Sequence, residues 1–395
     1  MMASQNLKPC SHGKIPVWRL LILFLALAQA LGLAATWQAA QVISDAKALP
    51  EAIPAKEFSR IIQDSSESDG FFRMDVFVSN EISYLTVVDK LRELGASGGA
   101  YIGVGPEQNF SYIAKIRPQI AFIVDIRRQA MIQHLMYKAI FQITDDRARF
   151  LSCLLSKPLT GEKAPGRDAT LGQFMEYFSQ TSASAEAYAA NLARIGKTIR
   201  EDFLFPMTER DQSSLEYVFG TFRSQGLAVS SASRPFGGRF PTLRDIIEQP
   251  DSSGKPGNFL ATEQDFAFVR DLQRKNRIVP VVGDFAGPKA LKAVGDYLRK
   301  NSLTVTAFYT SNVEQYLFQN SQFGAFAANV KTLPITPDSL FIRAVMRQPP
   351  VVQMPGGRSA TLLQKISVFL KDYEDGIYTD YYQLATTHYI IGKRP

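Results

Sequence analysis

Between Ala100 and Asp125 the chain runs from a short apolar stretch, Ala100-Tyr-Ile102, into Gly103-Val-Gly105. It continues through a helical segment, Asn109–Arg117, to a second apolar run, Ile120-Ala-Phe-Ile-Val124, which ends on an acid. Two strands joined through a helix have to lie parallel, because a parallel pair needs a long crossover. The glycines give a tight turn with no Cβ in the way of a ligand, and the helix that follows offers its N-terminal amides to a negatively charged group. Asp125 stands twenty residues beyond Gly105, at the carboxyl end of the next strand. An acid there can accept hydrogen bonds from both hydroxyls of a ribose. Alternatively, the glycines only permit the turn and Asp125 only caps the next helix. The strand–helix–strand context favours an adenosine-containing ligand.

The alternation continues further along the chain. Ile278–Val282 reads as a strand ending in Gly283-Asp284, Pro288–Asn301 as a helix and Thr304–Tyr309 as a strand. Ile82–Leu94 has helical spacing with Gly95 as its stop, Ala360–Tyr373 reads as a helix and Tyr378–Ile391 as a closing strand pair. Residues 145–262 break the pattern with three helical stretches and Ser/Gly/Pro-rich segments. The expectation is an α/β protein with a doubly wound, mostly parallel sheet. Its α/β domain would comprise 71–145 and 263–395, with a helical insertion at 146–262 and, at 41–70, a linker with a short helix. Arg234–Pro241, with Gly237-Gly238 as hinge, would form a mobile lid that brings Arg239 to an anion.

Four segments resemble class I S-adenosylmethionine-dependent methyltransferases, in particular an exported bacterial branch described as methyltransferase-like. They are Tyr101–Asn109, Ala121–Arg128, Val281–Asp284 and Phe308–Asn312, in the order that family requires. The resemblance implies a Rossmann-like fold with S-adenosylmethionine as cofactor. It implies that Gly103 and Gly105 approach the methionine part, Asp125 the ribose and Asp284 the adenine amino group. Asn312 would fall near the reacting methyl. Tyr101 stands where the family pattern has an acid, and Glu107 where it has a third glycine. A carboxylate at that turn would repel the cofactor's carboxylate unless it pointed to solvent or met the amino group.

The helix after Asp125 brings Arg127, His134 and Lys138 within a roughly 40° wedge, since steps of seven and eleven residues nearly return to the start. This row reads either as an anion clamp with His134 as general base, or as a solvated face with His134 packed on the insertion. After Thr304–Tyr309, Asn312 is a candidate to orient or deprotonate an acceptor, Glu314 an acid or base, and Tyr316 a stacking partner; Asn312 also suits a helix N-cap. Two Cys and three His exclude a disulfide framework and leave little for a metal centre.

The first forty residues carry a basic flank (Lys8, Lys14, Arg19), an apolar run from Leu20 to Ala35 broken only by Gln29, and the small-x-small site Ala28-Gln-Ala30. They read as a secretory signal or a membrane anchor, with the rest of the chain exported or periplasmic. Removing residues 1–35 takes away three cations and leaves 41 Lys and Arg against 37 Asp and Glu. That weak surplus excludes an electrostatic nucleic-acid binder. Export and a cytoplasmic cofactor pull apart, so two readings stay open. One is a methyltransferase acting on an unidentified acceptor. The other is an exported non-catalytic protein, binding an anionic or nucleoside-like molecule or serving as an envelope scaffold.

Overall fold

The computed structural model describes residues 49–231, 240–346 and 359–392. Seven strands form one sheet: β1 (Ala100–Gly103), β2 (Ile120–Asp125), β3 (Ile278–Val282), β4 (Val305–Ser311), β5 (Ile335–Met346), β6 (Ser359–Lys365) and β7 (Ile390–Ile391). Their order is β3-β2-β1-β4-β5-β6-β7. The first five in that order run parallel, while β6 is antiparallel to both neighbours. β1, β2 and β3 are buried along their whole length, which is why they read as unbroken apolar runs. Pro280 is tolerated inside β3 because β3 is an edge strand.

Fifteen α-helices are described: α1 (Ala55–Ser65), α2 (Val88–Glu93), α3 (Gln108–Ile116), α4 (Arg128–Ile143), α5 (Arg147–Leu155), α6 (Leu171–Gln180), α7 (Ala185–Glu201), α8 (Glu209–Gln225), α9 (Leu243–Ile247), α10 (Glu263–Arg274), α11 (Ala290–Lys300), α12 (Val313–Gln319), α13 (Phe323–Lys331), α14 (Ile366–Glu374) and α15 (Tyr381–Thr386). The chain moves outward from β1 to β2 to β3, then returns through α11 to β4 on the other side of β1. Right-handed crossovers in opposite directions put their helices on opposite faces. Accordingly the stronger helix contacts fall into two groups, α1–α11–α13–α14 and α2–α3–α10–α4. The reversal between β1 and β4 opens a crevice at the carboxyl ends of the strands.

Two local readings change. Ala360–Lys365 is strand β6 rather than the start of a helix; the helix begins at Ile366. Leu362, Leu363 and Ile366 suit either period, and pairing with β5 decides between them. The expected closing strand pair is reduced to β7, with the helix α15 earlier in the segment. The short helix expected within 41–70 is α1, which buries Phe58, Ile61 and Ile62 and packs on β3.

The helical segment 146–262 is built into the same compact unit, Leu49–Pro395. Helices α5, α7 and α8 pack on α4, and buried Arg147 donates to four carbonyls, those of Leu260, Ala261, Arg167 and Ala169, at 3.0–3.1 Å. The expected leader (1–40) and most of the expected lid, including Arg239, lie outside the described residues. Among the described residues, no helix is long and apolar enough to cross a membrane.

Candidate functional site

A cavity of about 210 Å³ sits at the β1/β4 reversal. Gly105 enters it after β1, Asp125 and Arg127 after β2, Asp284 and Phe285 after β3, and Ser311, Asn312 and Tyr316 after β4. The strand ends thus bring together six of the residues singled out from the sequence: Gly105, Asp125, Arg127, Asp284, Asn312 and Tyr316. Residues 71–81, an extended strap leading out of α1, close the fourth side with Phe72, Met74 and Glu81.

The glycine turn is held from behind. Asn109 Nδ2 donates to the carbonyls of Val104, Gly105 and Pro106 at 2.7–3.2 Å, and its Oδ1 accepts from Tyr101 Oη at 2.8 Å. This explains both Tyr101 and Gly103. Tyr101 locks Asn109, and a Cβ at Gly103 would lie 2.0 Å from Asn109 Oδ1. Gly103 therefore makes room for packing and does not line the cavity. Gly105, by contrast, has φ +79° and open space where a Cβ would stand, as an approach site for a ligand requires.

His134 is placed differently from its expected role as base. Its Nε2 lies 2.8 Å from the Gly105 carbonyl oxygen, its ring is buried against Phe110 and Tyr137, and burial lowers its pKa to about 4. It is a neutral donor that props the turn from behind, away from the cavity lining. Lys138 is buried too, donating to the Gln273 carbonyl between the rings of Phe58 and Phe203; burial brings its pKa down to about 7. The predicted basic row is thus divided: Arg127 lines the cavity, whereas His134 and Lys138 are buried in the core and neither clamp an anion nor face solvent.

Glu107 does not reach the ligand side either. It is buried beneath the turn and faces a small apolar recess with Phe150, Leu154 and Phe259. Burial raises its pKa to about 7, and its Oε2 has no partner. The expected repulsion is removed by withdrawal into the core rather than into solvent.

At the β2 end, Arg127 closes on Asp125. Its backbone N and Nε reach Oδ1 at 3.0 Å, and Nη2 reaches Oδ2 at 2.9 Å. Both side chains are buried. Burial alone would raise the Asp125 pKa, but the guanidinium outweighs it and holds the carboxyl below its ordinary range. Asp284 is half-buried, and its Oδ1 accepts from the Ala286 amide at 2.9 Å. Glu67 supports this loop, accepting from the amides of Asp284, Lys289 and Ala290.

At the β4 end, Asn312 precedes α12 without a side-chain cap bond, so its amide is not committed to the helix. Tyr316 packs edge-on against Phe72, with centroids 5.5 Å apart. Glu314 turns away from the cavity into a buried pair with Arg343 at 2.8–2.9 Å, so it is structural rather than an acid or base of the site. Glu81, which the sequence reading missed, is fully buried at the cavity wall. Its Oε1 accepts from Ser311 Oγ, its Oε2 has no partner, and burial raises its pKa. The strap carrying it has no regular periodicity, so the sequence gives no signal for it.

Among the described residues, no cluster of three or more His, Cys, Asp or Glu is arranged to hold a metal ion. The free thiol of Cys153 is buried, which pushes its pKa to about 12, as befits an inert core residue. No curated protein matches the chain. A family profile spans both halves of the sheet and the helical segment between them, and by its match to residues 76–387 the chain belongs to the family described as Domain of unknown function (DUF7790).

Proposed function

We propose that the cavity binds S-adenosylmethionine and that the protein transfers the methyl group to an acceptor held on the β4 side. One observation carries this reading: residues chosen from four separate strand ends line a single cavity at the switch point of a doubly wound sheet. The residues present fit the cofactor. Gly105 offers open backbone, Glu107 is withdrawn and half-neutral at pH 7, and Asp284 has one oxygen engaged by backbone. Asp125 accepts three hydrogen bonds, leaving about one of a carboxylate's roughly four lone-pair sites.

By resemblance, Gly105 would meet the methionine part, Asp125 the ribose and Asp284 the adenine amino group. The cofactor, when bound, supplies a methyl group on a positively charged sulfur. The chain's own residues keep the turn rigid through Asn109 and His134 and exclude water with Phe72, Phe285 and Tyr316. Asn312 turns a polar group of the acceptor toward the reacting centre, a matter of orientation more than of proton transfer.

The Asp125–Arg127 pair favours a second reading, a binding protein without transfer activity, because a ribose would have to share a carboxylate already closed by its neighbour. Calorimetric titration of the full chain in detergent micelles with S-adenosylmethionine and S-adenosylhomocysteine tests both. Micromolar binding that disappears in Asp284→Ala, with methyl transfer to a supplied acceptor, is the expected result. A folded sample that binds neither compound removes the cofactor reading and leaves the second.

A further inference from the structure

The β4 side of the cavity contains an acid that no cation answers. Glu81 is fully buried; Ser311 donates to one carboxyl oxygen, Tyr309 and Gln108 are its other polar neighbours, and Oε2 has no hydrogen-bond partner. A buried polar atom left without a partner is costly, so such a group in a cavity wall marks a ligand contact. The titratable groups in its field are phenols, Tyr101, Tyr112, Tyr309 and Tyr381, all held neutral by burial. Among the described lining residues Arg127 is the one cation, and Asp125 occupies it. Three carboxyls therefore face the cavity with one guanidinium among them, and the uncompensated acid on the β4 side is Glu81. Around it stand the rings of Phe72, Tyr309 and Tyr316, whose faces attract cations.

We infer that Glu81 makes the β4 side of the cavity selective for a ligand bearing an alkylammonium group. That this ligand is the methyl acceptor, an amine, rests on the methyl-transfer reading; the ammonium selectivity does not. An anion would meet an acid with no cation to spare. A neutral ligand would bring it no charge to pair with. An ammonium group pairs with the carboxylate and lies against the aromatic walls.

The test titrates the full chain at neutral pH with benzylammonium, benzyl alcohol and benzoate. Benzylammonium should bind about tenfold more tightly than the alcohol, the size of one desolvated charge contact. Benzoate should bind least. Glu81→Gln should erase the preference for the amine. Equal affinity for amine and alcohol overturns the inference, as does selectivity that survives in Glu81→Gln. The wild-type ranking of amine, alcohol and benzoate decides the question even if that variant fails to fold. S-adenosylmethionine titrated into the same sample separates the two proposals. Amine selectivity without cofactor binding keeps the ammonium site and removes the transfer reaction; cofactor binding without amine selectivity does the reverse.

Discussion

On the β2 side of the cavity Asp125 takes three hydrogen bonds from the residue two positions on. On the β4 side Glu81 has neutral polar neighbours, Ser311, Tyr309 and Gln108, and no cation. Both acids are buried, but the first remains ionised because a guanidinium shares its burial, whereas the second is pushed toward its neutral form. The two sides therefore respond differently to a ligand. A hydroxyl arriving at Asp125 must share an acceptor already in use, so the gain is small. A cation arriving at Glu81 meets a need the fold itself leaves open. Satisfied polar groups stabilise the empty protein, and unsatisfied ones keep their free energy for binding.

The harshest way to break this comparison is Arg127→Ala. It leaves the Asp125 carboxylate buried without its partner, a change that costs about 3–5 kcal/mol. Urea unfolding followed by far-UV circular dichroism measures it. A loss below about 1 kcal/mol would mean that water reaches Asp125 freely, as at an exposed pair. The β2 side would then be as open to a ligand as the β4 side.

A second test works beneath the turn that separates the two sides. Glu107 has its pKa raised from 4.5 to about 7, so it stabilises the fold below pH 4.5 and that contribution is lost as the pH rises through 7. His134 is lowered from 6.5 to about 4, so its contribution is present above pH 6.5 and lost as the pH falls through 4. Each shift corresponds to roughly 3 kcal/mol, and in the intact protein the two oppose one another. Glu107→Gln should gain stability relative to wild type by up to that amount between mildly acidic and alkaline pH, and His134→Gln should show the opposite slope. Parallel curves for variant and wild type would show that Glu107 is solvated and charged, restoring the repulsion at the turn.

The positions of these groups in the sequence explain which were legible there. Parallel strands are continuous apolar runs, so their polar ends stand out; Gly105, Asp125, Asp284 and Asn312 were each found that way, and the sheet brings them together. His134 and Lys138 have the right spacing for a shared face, but spacing does not say what covers a helix, and α4 is covered by helices that follow it in the chain. Glu81 was invisible because its burial depends on Ser311, 230 residues away, and on a strap with no repeat. The strand β6 was misread because its apolar residues fit two periods and only pairing with β5 chose between them.

The two glycines of the turn sharpen the comparison at smaller cost. Gly103→Ala puts a methyl group into Asn109 and the Tyr101 ring, an overpacking worth about 1–3 kcal/mol of stability. Gly105→Ala meets open space but sits at φ +79°, a strain of about 1–2 kcal/mol. Its larger effect should be on ligand affinity, because the added methyl group faces the cavity. If thermal unfolding ranks Gly105→Ala as the more damaging of the two, the Tyr101–Asn109 lock is not what holds the turn.

The smallest expected effect is the most discriminating for the β4 side. Asn312 occupies the N-cap position of α12 but makes no side-chain cap bond. A working Asn cap would cost about 1 kcal/mol on replacement by Ala. A cavity-lining amide without that duty should cost under about 0.5 kcal/mol, as for an ordinary surface change. Asn312→Ala should therefore leave the urea midpoint almost unmoved while weakening whatever binds beside Glu81. A clear loss of stability with unchanged affinity would assign Asn312 to the helix. The β4 side would then depend on Glu81 and its aromatic neighbours alone.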